Sequence, residues 1–233
     1  MDKIVKLNNQ TAGRDKIIRL LQYGSRASWY FFQNGERTRQ RIDVLKSLEY
    51  TFSSFRKLLR LGRCLDLLYS ALSSMRYPDL VVRITMTLSK ISNALFLLAD
   101  HIIWVGRAGI CQVNVEKWNQ VSNKYWLMAI VMNLVRDVYE ISKIMEQETA
   151  GLKLRAVKTC KFDLPMQFRA LCCVKNHTDV FVDTIKNSCD IFIPLTSLGY
   201  TRFNPGVVGL LGLISSAAGI YSLVYPLAKL TPA

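Results

Sequence analysis

The sequence feature that most constrains this chain is an uncharged stretch near its C-terminus, residues 207–225 (VVGLLGLISSAAGIYSLVY). As a helix, its 19 residues rise about 29 Å, close to the hydrocarbon thickness of a bilayer. Arg202 and Lys229 flank the stretch, and Tyr221 and Tyr225 suit a membrane interface. The sequence therefore predicts a C-terminal transmembrane helix. The alternative is a buried helix in a soluble core.

Small residues recur four apart along that predicted helix. They form two pairs, Gly212 with Ser216 and Ser215 with Gly219. This spacing lets the backbones of two transmembrane helices approach closely. We therefore expect these four residues to form a helix–helix contact and to contribute to homo-oligomer formation.

Charge and apolarity are both high in this chain of 233 residues. The formal net charge is +14, and half of the residues are hydrophobic. The first 63 residues hold 14 basic and five acidic side chains, a net charge of +9. A soluble nucleic-acid-binding protein is usually basic without being so apolar. Binding to an anionic phospholipid membrane, by contrast, is favoured by both basic and apolar residues. We expect the membrane as partner and no nucleic acid.

Residues 52–72 (FSSFRKLLRLGRCLDLLYSAL) have the pattern of a basic amphipathic helix. Apolar side chains recur at spacings of three and four and form the predicted membrane-inserting stripe. Its members are Phe55, Leu58, Leu61, Leu65, Leu68 and Leu72. The predicted lipid-headgroup-binding cations on the other faces are Arg56, Lys57, Arg60 and Arg63. The alternative is an ordinary surface helix that covers a soluble core.

The rest of the chain also has helical patterns, and no alternating run is long enough to indicate a sheet. The predicted fold class is all-α: a helical membrane protein with basic amphipathic helices in the N-terminal half and a C-terminal transmembrane helix. We divide it into a basic helical region at 1–77 and an apolar helical hairpin at 78–148. A weakly structured connection at 149–165 follows, and 166–233 contain a helix, a loop and the transmembrane helix. The apolar segments 94–105 and 125–135 are candidates for a second crossing.

Catalytic and metal-binding motifs are not evident in the sequence. His101 and His177 are the only histidines, and the six cysteines form no CxxC pair. We expect no catalytic residue, no metal, no cofactor and no enzymatic activity. Asp100 and His101 form either a polar pair that lines a membrane cavity or an ordinary interior contact.

Seven segments in order are similar to one protein family. They are GRDKIIRLLQY (13–23), FRKLLRLGR (55–63), WVGRAGI (104–110), EKW (116–118), NLVRDVYEIS (133–142), IKNSCDIFIPLTSLG (185–199) and NPGVVGLLGLISS (204–216). From end to end, the chain resembles the peroxin eleven family of peroxisomal membrane proteins, which elongate peroxisomes and help them divide. The long glycine-rich insertion that some members carry before the fifth helix is absent.

The resemblance implies an integral protein of the peroxisomal membrane that self-associates, with most of its N-terminal half facing the cytosol. It implies that the amphipathic stretch 52–72 inserts into the outer leaflet and curves the membrane. It also implies cooperation with a dynamin-related fission GTPase and the membrane receptor of that GTPase. Both termini of animal members are thought to face the cytosol, which requires an even number of crossings. The topology, the oligomer number and the isoform stay open.

Three classes of function are consistent with these observations. The first is a membrane-shaping protein that promotes peroxisome proliferation and fission. The second is a peroxisomal solute pore or channel, which needs polar residues along a lumen, as Asp100 and His101 suggest. The third is a soluble basic adaptor, against which the uncharged stretch 207–225 argues.

Overall fold

The computed structural model describes residues 2–33, 39–156 and 177–225. Over these ranges the regular structure is entirely helical. The helices are α1 (Asp2–Asn9), α2 (Thr11–Phe32), α3 (Arg39–Leu59), α4 (Arg63–Ser74), α5 (Leu80–Arg107), α6 (Val115–Ala156), α7 (Thr178–Asp190), α8 (Phe192–Ser197) and α9 (Pro205–Val224). The all-α fold class is confirmed.

Two helix boundaries have clear local causes. The Asp79 carboxylate accepts hydrogen bonds from the backbone N–H groups of Val81 and Val82, and so caps the start of α5. Pro205 occupies the first turn of α9, where its fixed φ suits a helix and its missing N–H removes no intrahelical hydrogen bond.

The amphipathic stretch 52–72 is not one continuous helix. Gly62 has φ +81°, a left-handed conformation that glycine adopts without a steric penalty, and it separates α3 from α4. The expectation of a single helix through Gly62 was therefore wrong. The two halves pack on different partners, because α3 contacts mainly α2 while α4 contacts α5.

Helix α2 lies at the centre of the bundle, between α3 and α9. Helix α9 runs antiparallel to it, and the side chains of α3 reach it at several levels. Glu49 of α3 accepts hydrogen bonds from Arg26 and Trp29 of α2, at 2.6 and 2.8 Å. Helix α2 thus connects α3 to the uncharged helix α9.

Helices α5 and α6 form a long antiparallel hairpin, held by the Ser89–Asn133 hydrogen bond and the stacked rings of Phe96 and Trp126. Helix α6 extends to Ala156 and so enters the predicted connection 149–165. That part of the connection is helical, contrary to expectation, and 157–165 lie outside the described residues. The division into four regions stays a prediction.

Candidate functional site

The apolar stripe of α3 and α4 faces outward. All six of its members are exposed: Phe55, Leu58, Leu61, Leu65, Leu68 and Leu72. Leu65 is 68% exposed and Leu72 is 62% exposed, values far above those of leucines that cover a soluble core. The predicted membrane-inserting residues thus all lie on the outside of the protein, and we call them together the leucine face.

The cations of α3 point the other way, into the protein. Arg56 is 8% exposed and Lys57 is 7% exposed. Arg56 Nε lies 3.1 Å from the Asp15 carboxylate of α2, and Lys57 pairs with Asp100 of α5. Arg60 joins the second oxygen of Asp100 at 3.0 Å. Each buried cation is therefore matched by a carboxylate from another helix, as burial of charge requires.

This arrangement corrects the expectation that Arg56, Lys57 and Arg60 lie at a headgroup plane. Their side chains are held inside by Asp15 and Asp100, so in this conformation they do not reach a membrane surface. Of the four predicted cations, Arg63 is the one with no described carboxylate within 4.0 Å, and it is half-buried. A headgroup-binding role for the four stays a prediction.

The small-residue face of α9 is covered by helices of the same chain. Gly212 packs on the Tyr23 ring of α2, and Gly219 packs on the Lys16 side chain. Ser215 and Ser216 are completely buried. The close helix–helix approach is present, but its partner is α2. The face is therefore not free to receive a second protomer, contrary to the expectation from its spacing.

This packing predicts that Gly212→Ala destabilises the protein. A Cβ at Gly212 would overlap the Tyr23 ring, whereas a Cβ at Gly24 would meet only Leu213, at 3.7 Å. We expect Gly212→Ala to lower the free energy of unfolding by about 1–3 kcal/mol, as overpacking does. Gly24→Ala should be neutral or slightly stabilising, because alanine is the better helix former. Thermal unfolding in detergent measures both, and equal stability of the two variants would contradict the α2–α9 contact.

Behind the leucine face lies a partly open polar chamber of about 360 Å³, lined by residues of α2, α3, α4, α5, α6 and α7. Its wall includes Asp15, Arg19 and Asp100, all buried. Arg19 of α2 pairs with Asp190 of α7, and His101 Nε2 lies 3.0 Å from the backbone carbonyl oxygen of Arg60. Asp100 therefore lines a cavity, while His101 makes an ordinary interior contact.

The charged residues that α2 and α7 contribute to the chamber were not predicted from the sequence. They are Asp15, Lys16, Arg19, Lys186 and Asp190. A signal was present, because charges interrupt the apolar pattern of GRDKIIRLLQY and IKNSCD. Nothing in either segment indicates that the two helices meet.

Mutual electrostatics keep most of these groups charged. Burial raises the pKa of Asp15, but the cations of Arg56, Arg60 and Lys16 outweigh it and hold that pKa at about 2. Burial lowers the pKa of Lys16 to about 7, and the neighbouring Arg19 and Lys186 cations add to this effect. Positive charge is thus crowded around Lys16.

In the part of the chain that the structure describes, many polar side chains are buried and many large hydrophobic side chains are exposed. Among the described residues, 18 polar or charged residues are buried against 15 apolar ones. Two described helices, Leu80–Arg107 and Pro205–Val224, are long and apolar enough to cross a membrane. A soluble protein buries its apolar surface, whereas a protein in lipid can expose it. The structure and the hydropathy together define a helical membrane protein.

Comparison with known proteins places this membrane protein in a family. The profile of the family described as Peroxisomal biogenesis factor 11 (PEX11) matches residues 1–224. The chain therefore belongs to the PEX11 family. It is a peroxisomal membrane protein involved in peroxisome proliferation. The resemblance seen in the sequence is confirmed.

The relatives cover the chain almost completely. It is 33% identical over 259 aligned positions to human "Peroxisomal membrane protein 11B", covering 100% of both chains. It is 35% identical over 247 positions to "Peroxisomal membrane protein 11A" of Bos taurus, covering 99% of each. A Dictyostelium discoideum relative, "Peroxisomal membrane protein 11 homolog", is 25% identical over 240 positions and covers 96% of this chain and 94% of its own. No solved structure matches.

Proposed function

We propose that this protein curves and elongates the peroxisomal membrane by inserting its leucine face into one leaflet. The observation that carries the proposal is the exposure of six large apolar side chains on two successive helices and the turn between them. An amphipathic surface buried just below the headgroups widens one leaflet relative to the other. The result is curvature and, along a closed organelle, elongation.

The leucines supply the energy of insertion in this mechanism. Each leucine moved from water to hydrocarbon contributes about 1.5–3 kcal/mol. The buried cations orient α3 from inside the protein. Their ion pairs with Asp15 and Asp100 fix the rotation of α3 about its axis and so keep Phe55 and Leu58 on the outside. The exposed Arg39 and Arg41 are left to meet the anionic phospholipid membrane.

The topology we propose follows from the two candidate spans. We propose that α9 and α5, which contains the segment 94–105, are membrane-embedded, because they are the two described helices long and apolar enough to cross a bilayer. The segment 125–135 of α6 packs antiparallel along α5 and lies beside it. We propose that most of the N-terminal half faces the cytosol.

Partners remain proposals that rest on the family resemblance. They are a second copy of this chain, forming a homo-oligomer, and a dynamin-related fission GTPase with its membrane receptor. Because the small-residue face of α9 is covered by α2, self-association requires another surface. The exposed apolar residues of α5, Ile84, Leu88 and Ile91, are available on a candidate span.

Reconstitution tests the proposed mechanism. We expect the full-length protein, inserted into vesicles that contain anionic lipid, to draw them into tubules visible by electron microscopy. Because Arg56, Lys57 and Arg60 are paired internally, raising the salt concentration should leave the tubules largely intact. Loss of tubules at high salt would show instead that these cations bind headgroups. Absence of tubules under every condition would refute the proposal.

A solute pore is the second candidate function, and the polar chamber between the helices is the observation that favours it. Charged residues inside a membrane protein commonly mark a solute pathway. Flux of a small anion across the same reconstituted vesicles separates the two candidates. A pore predicts flux even in vesicles that remain spherical, whereas membrane shaping alone predicts tubules without flux.

A further inference from the structure

The polar chamber contains more cations than carboxylates. Its wall carries seven basic residues and three acidic ones. The basic residues are Lys16, Arg19, Arg56, Lys57, Arg60, Arg63 and Lys186. With Lys16 protonated, the adjoining network of Arg136, Asp137 and Asp183, which neutralises Lys186, reduces the excess from four positive charges to three. Burying a charge without a counter-charge raises the free energy of the folded protein. A bound anion in the chamber would neutralise this excess.

Several cationic groups in this wall lack a hydrogen-bond or carboxylate partner among the residues that the structure describes. The Arg19 side chain is 7% exposed, and its Nε has no hydrogen-bond partner among the described residues. Neither Lys16 nor Arg63 has a described carboxylate within 4.0 Å. These groups differ from Arg56, Lys57 and Arg60, each of which forms an ion pair with a carboxylate of another helix. The unmatched donors therefore lie around one cavity, on α2 and at the start of α4.

The size and chemistry of the cavity suit a small molecule. Its volume of about 360 Å³ lies within the usual range for ligand sites. Neutral hydrogen-bonding groups complete the wall: Asn93, Asn119, Ser122, Asn123 and Asn133. Guanidinium and ammonium groups together are the donors that proteins use for phosphate, because phosphate oxygens accept several charge-assisted hydrogen bonds at once.

We propose that the chamber is a binding site for a phosphate-bearing anion, held by Lys16, Arg19 and Arg63. The anion lies between α2 and the start of α4, and it supplies the negative charge that the wall lacks. The phosphate belongs to either a soluble metabolite or the headgroup of a lipid that enters between the helices. The site is separate from the leucine face, so an experiment that refutes anion binding does not refute the membrane-shaping function, and the reverse also holds.

Binding of pyrophosphate to the full-length protein in detergent tests the site directly. We expect calorimetry to show saturable binding and thermal unfolding to shift upward with pyrophosphate concentration, since a ligand that binds only the folded state stabilises it. Sodium chloride at the same ionic strength controls for screening. No saturable binding up to millimolar pyrophosphate would overturn the proposal.

Two paired substitutions localise the binding. Lys16→Gln with Arg63→Gln leaves every described ion pair in the wall intact, so the fold should persist. We expect pyrophosphate affinity to fall by about tenfold or more, as loss of two charge-assisted contacts implies. Lys16→Arg with Arg63→Lys should retain binding. Arg76→Gln, which removes an exposed cation outside the wall, should leave affinity unchanged, and equal loss in that control would overturn the assignment.

Two lipid compositions distinguish the sources of the phosphate. In nanodiscs of phosphatidylcholine alone, whose phosphate is masked by choline, pyrophosphate should bind as in detergent. If phosphatidic acid in the nanodisc competes with pyrophosphate, the occupant is a lipid headgroup. If it does not compete, the occupant is a soluble phosphate compound. Failure of pyrophosphate to bind in the phosphatidylcholine nanodiscs, with the protein folded, would refute the site.

Discussion

Replacing Leu61 and Leu65 with aspartate should abolish peroxisome elongation while leaving the protein folded and located at peroxisomes. Both leucines are exposed members of the leucine face, so their replacement removes no buried contact. An aspartate that must enter hydrocarbon costs roughly 2.5–3.5 kcal/mol, and the insertion energy of the two leucines is lost as well. The face should then stay in water and no longer wedge the leaflet.

Peroxisome length in cells that express each variant measures this effect. The control is Ser73→Asp, which adds a negative charge at an exposed position of α4 that is not a member of the leucine stripe. The control should elongate peroxisomes as the unaltered protein does. If Leu61→Asp with Leu65→Asp also elongates them normally, the leucine face is not inserted, and membrane shaping must come from another surface.

Removing the Asp100 carboxylate should destabilise the protein more than Gly212→Ala does. Asp100 is 2% exposed and accepts hydrogen bonds from both Lys57 and Arg60. Asp100→Leu leaves these cations without their shared partner in a buried site, which typically lowers the free energy of unfolding by about 3–5 kcal/mol. Arg60 retains only Asp15, whose Oδ1 lies 3.6 Å from Arg60 Nε.

A double substitution tests the electrostatic cause. Lys57→Met combined with Asp100→Leu replaces the buried pair with apolar side chains, and much of the lost stability should return. Asp66→Asn, at an exposed position of α4, is the control and should change stability by less than about 0.5 kcal/mol. Chemical unfolding in detergent gives all three values. If Asp100→Leu is as stable as Asp66→Asn, the carboxylate does not hold these cations in the folded protein.

Local properties of the sequence predicted much of the architecture. The uncharged run 207–225 predicted a membrane-length helix, because length and hydropathy depend only on consecutive residues. The spacing of Leu58, Leu61, Leu65, Leu68 and Leu72 placed these side chains on a common face, since helical periodicity is local too. Seven ordered segments were enough to identify the PEX11 family.

The direction in which each face points was decided by tertiary contacts. Periodicity separates the leucines of α3 from its cations but does not say which side meets the protein. Asp15 and Asp100, 41 and 43 residues from their partners Arg56 and Lys57, draw the cations inward. The same long-range pairing helps to form the chamber, whose wall combines residues from α2, α3, α4, α5, α6 and α7.

The sequence by itself thus determined the helices, their apolar faces, the membrane class and the family. The tertiary structure alone decided that Gly212 packs on Tyr23 of the same chain, that Gly62 divides the amphipathic stretch, and that the cations are internal. The physical reason is the distance along the sequence over which each kind of interaction acts. Helix formation and hydropathy act over one or two turns, whereas the pairing of a buried charge or a close-packed glycine depends on which distant helix arrives beside it.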